Sequence, residues 1–249
     1  MERIDTAQAK AAVLTEALPY VQDFRGSIVL VKVGGSVMEV ESNLDLLMDD
    51  IAFMDAVGMK VVIVDDGWQT EDTNRGYAFC GDWEVSKRRF PDMAAHVARV
   101  HALGMKYMVW YSVPFVGEES RNFARFKGKY LYISKSKRAG ILDPRFPEVR
   151  SFLSELYAKA LREWDIDGLK LDFIDNFRFN GKDPAIKENY AGRDIKSLPE
   201  AVDRLMKEIH AAVTAVKPDA LVEFRQQYIG PGMRQYGNIF RASDCPGDA

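Results

Sequence analysis

Six short apolar runs, each the length of a β-strand, recur along the chain and constrain its fold more than any other feature. Between them lie stretches with the 3.6-residue apolar spacing of amphipathic helices, and this alternation predicts consecutive βα units around a parallel sheet. The sequence glycine-methionine-lysine occurs at residues 58–60 and again at 104–106, each time before a strand, which supports a repeated unit. The predicted strands are residues 28–33, 61–64, 107–112, 168–173, 220–224 and 239–242.

A chain of 249 residues has the length typical of a complete (β/α)8 barrel, yet only six strands are found because three long insertions use up the length. The insertions, residues 69–90, 114–145 and 176–198, each follow a strand, so we expect them on the carboxyl face, where barrel enzymes build their sites. The sequence therefore predicts a partial (β/α)8 TIM-barrel-like parallel sheet with about six βα units, which we expect to be incomplete.

Helices are predicted between the strands. The first covers residues 42–58, the second runs from Pro91 to Gly104, and the third begins near Pro147. A further helix is predicted at residues 5–23, with an apolar stripe. It has two interpretations: a helix packed across the bottom of the barrel, or an oligomerisation arm.

Composition excludes several classes of partner. The formal net charge is −3 and the longest basic block is Lys87-Arg88-Arg89, so neither nucleic acid nor an anionic membrane is an expected partner. The first residues lack the pattern of a signal peptide, and no apolar stretch approaches the roughly 20 residues needed to span a bilayer. We expect a soluble, cytoplasmic protein.

Cysteine and histidine give no indication of a metal site. Cys80 and Cys245 are far apart and lack the spacing of a zinc site or a disulfide framework, which favours a reducing compartment. His96, His101 and His210 all fall on predicted helices, where we interpret them as surface or interhelical groups. The sequence predicts neither a metal nor a cofactor.

The strongest candidate for chemistry is Lys170-Leu171-Asp172, on the fourth predicted strand. Alternation along a strand places Lys170 and Asp172 on the same face, and pairing would hold Asp172 ionised. An ionised, positioned carboxylate is what a glycosidic nucleophile requires. A structural ion pair is the alternative at this stage. Asp175 fits a loop or capping role.

A second carboxylate, Asp244, follows the sixth strand in the sequence Arg241-Ala242-Ser243-Asp244. Asp172 and Asp244 lie two strands apart, and a separation of about 5–5.5 Å would specify double displacement with retention. Asp248 is a competing candidate further into the loop. Trp110 and Tyr111 end the third strand, where they fit either a pocket lining or the core.

Five separated motifs follow one another along the chain: Asp65-Asp66-Gly67-Trp68, Gly81-Asp82-Trp83 with Phe90-Pro91, His101-Ala102-Leu103-Gly104-Met105, Ile141-Leu142-Asp143 with Pro147-Glu148-Val149-Arg150, and Lys170-x-Asp172. In this order they resemble the motifs of the melibiase-type α-galactosidases, and the resemblance spans about residues 65–249.

This resemblance implies a (β/α)8 catalytic domain with Asp172 as nucleophile and Asp244 as acid/base. It implies that Asp65 and Asp66 accept hydrogen bonds from the galactose 4- and 6-hydroxyls. The other implied sugar contacts are Lys170 to ring hydroxyls, Arg241 near the acid, and Trp68 and Trp83 as flat walls for a pyranose face.

The first 64 residues contain a different set of motifs: Leu18-Pro19-Tyr20, Phe24-Arg25-Gly26, the run from Val31 to Met38, Asp49-Asp50-Ile51 and Val57-Gly58. These motifs resemble the N-terminus of acetylglutamate kinases. It implies that Lys32, Gly34 and Gly35 approach nucleotide phosphates. The second glycine-rich turn of the kinases, expected after Val64, is replaced by Asp65 and Asp66, whose carboxylates would repel phosphate. We therefore interpret the kinase site as broken.

Together the resemblances predict a kinase-like segment at residues 1–64 and a truncated α-galactosidase-like barrel region at residues 65–249. We expect a glycoside hydrolase that acts on α-galactosides by retaining double displacement, with activity impaired by the missing strands. The alternatives are an inactive chimera and an amino-acid kinase with an incomplete nucleotide site. The expected ligand is a small α-galactoside or oligosaccharide, and unpaired strand edges or the N-terminal helix also predict a homo-oligomer.

Overall fold

The computed structural model describes residues 30–33, 48, 51, 60–72, 74–226 and 230–241. Its strands are β1 (Leu30–Val33), β2 (Val61–Val64), β3 (Lys106–Ser112), β4 (Phe115–Gly117), β5 (Tyr130–Ser134), β6 (Ala139–Leu142), β7 (Gly168–Asp172), β8 (Leu221–Arg225) and β9 (Ile239–Arg241). Its α-helices are α1 (Met93–Ala102), α2 (Arg121–Arg125), α3 (Pro147–Trp164) and α4 (Leu198–Val216), and 3₁₀ turns occur at Ile174–Asn176, Pro184–Ile186 and Met233–Gln235.

Six of these strands form one parallel sheet in the order β1-β2-β3-β7-β8-β9. They are the six strands predicted from the sequence, so the expected partial barrel-like sheet is confirmed. β1 pairs with β2 inside the kinase-like segment, and β2 pairs with β3 beyond residue 64, so this segment and the rest of the chain share one hydrogen-bonded layer. The division of the chain at residues 64 and 65 stays a prediction.

Alternation along the strands separates an apolar helix-facing side from a mixed side. Val62, Val64 and Leu171 belong to the large core that packs against the helices. On the opposite side, Val61, Ile63 and Met108 form a small apolar cluster, and polar side chains follow nearer the carboxyl ends of the strands. The carboxyl edge of the sheet is thus where charge collects.

The helices begin at residues with clear starting signals. The Asp92 side chain accepts a hydrogen bond from the Ala95 backbone N–H and caps α1, while α3 begins with Pro147. Both predictions are confirmed, and α3 also packs along α4. Of the predicted helix at 42–58, only Met48 and Ile51 are described, both helical and buried.

The predicted helix at residues 5–23 lies outside the described residues. None of the helices in the described part of the chain combines the length and the apolar character needed to cross a bilayer.

The second insertion contains a structure that the sequence analysis did not predict. β4, β6 and β5 form a three-stranded antiparallel sheet in that order. Close packing holds it against the first insertion, since a Cβ atom on Gly117 would lie 2.0 Å from the Ala78 carbonyl oxygen. The second insertion is therefore a folded unit packed against the first insertion.

A buried ion network ties the third insertion to the start of α3. Arg145 Nε lies 2.9 Å from Asp143 Oδ1, and Arg145 Nη1 lies 2.8 Å from Asp183 Oδ2. Arg193 Nε donates to the other Asp143 oxygen at 2.8 Å. Because the carboxylates satisfy the guanidinium groups on both sides, this network anchors the insertion rather than offering unpaired charge.

Candidate active site

Three charged side chains meet at the carboxyl edge of the parallel sheet. Asp65 directly follows β2, and Lys170 and Asp172 lie on β7. Lys170 Nζ is 2.5 Å from Asp65 Oδ2 and 4.0 Å from Asp172 Oδ2. Lys170 is only 1% exposed and each aspartate 6%. Sequence alternation predicted a pair of Lys170 with Asp172, whereas the nearer carboxylate is that of Asp65, two strands away.

Both oxygens of Asp172 accept hydrogen bonds from groups fixed by the fold. The Trp110 indole donates to Oδ2 at 3.0 Å, and the Phe173 backbone N–H donates to Oδ1 at 2.8 Å. Burial raises the pKa of Asp172 above its ordinary value, and the Trp110 hydrogen bond and the Lys170 charge oppose that rise. These contacts orient the carboxylate and favour its ionised form.

Replacing Trp110 by Phe is expected to move the acidic limb of the pH–activity profile toward higher pH. The substitution removes a hydrogen bond to the ionised Asp172, and such bonds contribute about 1.5–3 kcal/mol. The pKa of Asp172 should therefore rise by about 1–2 units, since one unit corresponds to about 1.4 kcal/mol. The profile of kcat/KM with an aryl α-galactoside measures this shift.

Tyr111→Phe is the matched control, because Tyr111 points to the opposite face of β3 and its hydroxyl has no hydrogen-bond partner in the described part of the chain. An unshifted acidic limb in Trp110→Phe would contradict the assigned role of the indole.

Glu223 is a buried carboxylate that the sequence analysis missed. It lies on β8 opposite Lys170 in register, and its Oε1 accepts from Arg241 Nε at 3.2 Å. Its Oε2 is buried and has no hydrogen-bond partner within the described ranges. Burial raises the pKa of Glu223, and the charges of Arg241 and Lys170 oppose the rise. The alternation of Leu221, Glu223 and Arg225 was the signal that could have found it.

Arg241 ends β9 with Arg225 opposite in register, so it reaches the same sheet edge as Asp172. Its contact with Glu223 joins it to the charged cluster. Asp244 and the competing Asp248 lie outside the described residues, and so does the predicted separation between Asp172 and Asp244. The assignment of Asp244 stays a prediction.

Asp66 adjoins this cluster but has its own contacts. Gln69 Nε2 donates to Asp66 Oδ1 at 2.7 Å, and the Asp66 backbone N–H donates to Asp65 Oδ1 at 2.8 Å. Burial raises the pKa of Asp66, and the nearby Asp65 charge adds to the rise. Asp65 and Asp66 thus form a connected pair of acceptors beside Lys170.

The two tryptophans expected to form sugar-facing walls are core side chains in this structure. Trp68 has no exposed surface, and its indole donates to the Trp110 carbonyl at 2.8 Å. Trp83 stacks on Trp68 with ring centroids 5.9 Å apart. It lines a cavity of about 400 Å³ together with Tyr111 and Trp164, on the helix-facing side. Packing demands therefore account for both rings better than contact with a pyranose.

A different aromatic group adjoins Asp172. Tyr77, Phe115 and Phe173 contact one another, and the ammonium of Lys137 lies over all three rings. Tyr77 comes from the first insertion, and Phe115 and Lys137 come from the antiparallel sheet region. Sequence reasoning missed this cluster because its members come together only through the insertions.

The kinase-like residues are only partly described. Lys32 lies on β1 opposite Ile63, but its side chain, Gly34 and Gly35 are outside the described residues. After β2 the chain continues into Asp65 rather than into a glycine-rich turn, as the sequence analysis noted.

His96 and His101 contact other side chains of the fold. His96 packs between Phe90 and Tyr107, and burial lowers its pKa to about 4. His101 Nε2 lies 2.7 Å from Asp167 Oδ2. Within the ranges that the structure describes, no group of three or more His, Cys, Asp or Glu side chains could hold a metal ion.

The carboxylates lie at the carboxyl edge of a partial parallel barrel, and this is the edge at which barrel enzymes place their active sites. Comparison with known proteins points to a family with the same architecture. The melibiase family model matches residues 38–244. The chain therefore belongs to the melibiase family. The match begins upstream of the predicted boundary at residue 65.

Solved α-galactosidases share the fold. The enzyme from Lactobacillus brevis superposes with a TM-score of 0.65 at 22% identity, over 87% of this chain and 30% of that chain. The GH36 α-galactosidase AgaA from Geobacillus stearothermophilus gives a TM-score of 0.66 at 21% identity, with the same two coverages.

Two curated proteins match different parts of the sequence. The α-galactosidase Mel36A of Lactobacillus acidophilus is 28% identical over 124 residues, 47% of this chain and 16% of that protein. The acetylglutamate kinase of Campylobacter jejuni is 50% identical over 58 residues, 23% of this chain and 21% of the kinase. The chain thus spans about a fifth or less of the length of these relatives.

Proposed function

We propose that this chain carries the nucleophile and part of the sugar site of an enzyme that hydrolyses α-galactosides with retention. The observation that supports this most is the setting of Asp172. Its two oxygens accept hydrogen bonds from Trp110 and the Phe173 backbone, and Lys170 lies 4.0 Å away at the carboxyl edge of the sheet. Burial raises the pKa of Asp172, and the Trp110 hydrogen bond and the Lys170 charge oppose that rise. A carboxylate fixed in this way suits attack on an anomeric carbon when it is ionised.

The proposed sugar is galactose in α-linkage. AgaA from Geobacillus stearothermophilus has been solved in complex with raffinose, and an α-galactosidase from Thermus thermophilus in complex with stachyose. In this chain Asp65 and Asp66 supply adjacent carboxylates that can accept hydrogen bonds from two neighbouring hydroxyls. We assign the 4- and 6-hydroxyls to this pair, and Lys170 to a ring hydroxyl.

In the first step, Asp172 forms a bond to the anomeric carbon as the bond to the leaving oxygen breaks. Asp244 gives its proton to that oxygen. In the second step, Asp244 takes a proton from water, whose oxygen attacks the anomeric carbon and displaces Asp172. Two inversions restore the α-configuration.

The charge of Lys170 gives this scheme its electrostatic support. The Lys170 ammonium lies within 4.0 Å of a carboxylate oxygen of both Asp65 and Asp172, and its positive charge offsets the repulsion between these two buried acids. Glu223, opposite Lys170, links this centre to Arg241 and to the end of β9, close in sequence to Asp244.

An assay with matched aryl α- and β-galactosides tests the proposal. We expect hydrolysis of the α-anomer, released first as α-galactose in the proton NMR spectrum, and at least roughly a hundredfold preference over the β-anomer, because a fixed nucleophile can attack from one face only. Comparable hydrolysis of both anomers, or first release of β-galactose, would contradict the proposal.

A further inference from the structure

The side chain of Gln69 bridges the turn that carries the two acids after β2. Its Oε1 accepts from the Gly67 backbone N–H at 3.1 Å, and its Nε2 donates to Asp66 Oδ1 at 2.7 Å. The Gly67 N–H can only donate, so the amide oxygen must face Gly67 and the amide nitrogen must face Asp66. Gln69 therefore fixes the rotation of the Asp66 carboxylate.

The backbone of this turn is held by other groups. Arg89, which is buried, donates from Nη1 to the Gly67 carbonyl at 2.7 Å. The Ser86 backbone N–H donates to the Trp68 carbonyl at 3.0 Å. The position of the turn thus depends little on Gln69, and what this side chain adds is the orientation of the acid to which it donates.

Asp66 depends on this amide more than Asp65 does on any neutral group. Asp65 is only 6% exposed, and Lys170 Nζ lies 2.5 Å from its Oδ2. Asp66 is more exposed, and no cation of the described residues lies within ion-pair distance of it. A carboxylate can accept several hydrogen bonds, so Asp66 keeps the capacity to accept from a ligand while Gln69 orients it.

Four charged or titratable side chains surround Asp66: Asp65 on the same turn, and Tyr77, Cys80 and Arg89 from the first insertion. Burial raises the pKa of Asp66, and the amide hydrogen bond opposes that rise. The Asp65 charge adds to the rise and the Arg89 charge opposes it. Burial also raises the pKa of Tyr77 and of Cys80, so both keep their protons near neutral pH.

We propose that Gln69 is a positioning residue that selects sugars carrying a hydroxymethyl group on the ring. Its hydrogen bond turns Asp66 toward the 6-hydroxyl, while the deeper Asp65 accepts from the 4-hydroxyl, which is attached to the ring itself. This inference rests on the proposed function, because it takes the two acids as sugar acceptors. A pyranose without the hydroxymethyl group gains nothing from the orientation of Asp66.

Two methyl glycosides that differ only at this group isolate the role of Gln69. They are methyl α-D-galactopyranoside and methyl β-L-arabinopyranoside, which has the same ring hydroxyls and no hydroxymethyl group. Calorimetric titration into Asp172→Asn measures their affinities without hydrolysis. Adding Gln69→Leu should weaken galactoside binding about tenfold, the scale of one hydrogen bond to a charged group, and change arabinoside binding by less than about twofold.

Gln69→Glu in the same protein gives a readout that a merely structural role would not move. Glu keeps the oxygen that faces Gly67 and lacks the donor toward Asp66, so galactoside binding should weaken at neutral pH. As the pH falls, one proton shared by the two carboxyl groups restores the donor, and the affinity should recover. With Gln69→Leu the affinity should instead fall further, because Asp66 without its amide partner takes up a proton at higher pH.

Thr70→Val is the matched control within the same loop. The Thr70 hydroxyl accepts from the Asp72 backbone N–H at 3.1 Å, so valine alters the loop while leaving the amide contact in place, and neither affinity should change. Equal losses with both sugars in Gln69→Leu, or an unchanged affinity for the galactoside, would overturn the role of Gln69.

The same titrations separate this role from the proposed function. If the unmodified protein hydrolyses no aryl α-galactoside while Asp172→Asn binds the methyl galactoside, the proposed hydrolysis fails and the comparison of the two sugars still decides the role of Gln69. If Asp172→Asn binds neither sugar, the selection by Gln69 is refuted as well.

Discussion

Replacing Asp172 by Asn is expected to reduce the hydrolysis of an aryl α-galactoside by roughly 10⁴-fold or more, the scale found when a covalent nucleophile is removed. Asn is nearly the same size, so the β7 backbone and the packing around Trp110 should be retained. It carries no charge and cannot form the glycosyl ester. Initial rates, with circular dichroism to verify the fold, measure the effect.

The control is Asp219→Asn, which changes an exposed aspartate that pairs with the surface Lys106 and should leave the rate unaltered. Asp172→Ala gives a second readout. Azide should enter the vacated space, attack the anomeric carbon and release β-galactosyl azide in place of the lost reaction. A rate in Asp172→Asn within tenfold of the unmodified protein would refute the nucleophile assignment.

Replacing Lys170 by Met is expected to lower the free energy of unfolding by about 3–5 kcal/mol, the cost of removing one partner from a buried ion pair. Met approximates the length of the aliphatic stem, so the loss is mainly one of charge. Asp65 and Asp172 would then face each other without the ammonium between them. Urea denaturation monitored by tryptophan fluorescence measures the change.

The double variant Lys170→Met with Asp65→Asn tests the cause of that loss. Removing the uncompensated carboxylate should recover part of the stability, which appears as a coupling energy of about 1–3 kcal/mol in a double-mutant cycle. Strictly additive effects would show that the two charges do not stabilise each other. Lys159→Met is the matched surface control, since its pair with Glu163 on α3 is exposed.

The parallel sheet could be predicted because its strands are continuous apolar runs, which a strand buried on both faces requires. That Lys170 and Asp172 share one face likewise followed from strand geometry. The closer contact of Lys170, with Asp65, could not be predicted in this way. Lys170 approaches Asp65 because β3 lies between β2 and β7 and sets the register, and the order of strands is a tertiary property.

The insertions could not be predicted from local patterns. The strands β4, β5 and β6 are three to five residues long, too short for a clear alternation signal. The burial of Trp68 depends on its contact with Trp83 in another loop, and the aromatic cluster of Tyr77, Phe115 and Phe173 unites residues far apart in sequence. Glu223 was not predicted as a site residue because it lies within an otherwise apolar strand. Its place in the charged cluster follows from the register that sets it opposite Lys170.

The boundary suggested by the two resemblances also has a physical explanation. Val61–Val64 suits either family, because a buried parallel strand needs the same residues in both. Asp65 then contacts Lys170 on β7, and the backbone of β1 pairs with β2. The sheet joins the two parts, while the charged site belongs to the part that follows β2.

Trapping the covalent intermediate tests the central claim most directly. The protein would be treated with a fluorinated α-galactosyl derivative that forms the glycosyl ester faster than water can cleave it, then digested and analysed by tandem mass spectrometry. We predict a galactosyl label on Asp172, and no label in the Asp172→Asn variant. A label on any other carboxylate, or inactivation without a label, would contradict the assignment of Asp172 as the nucleophile.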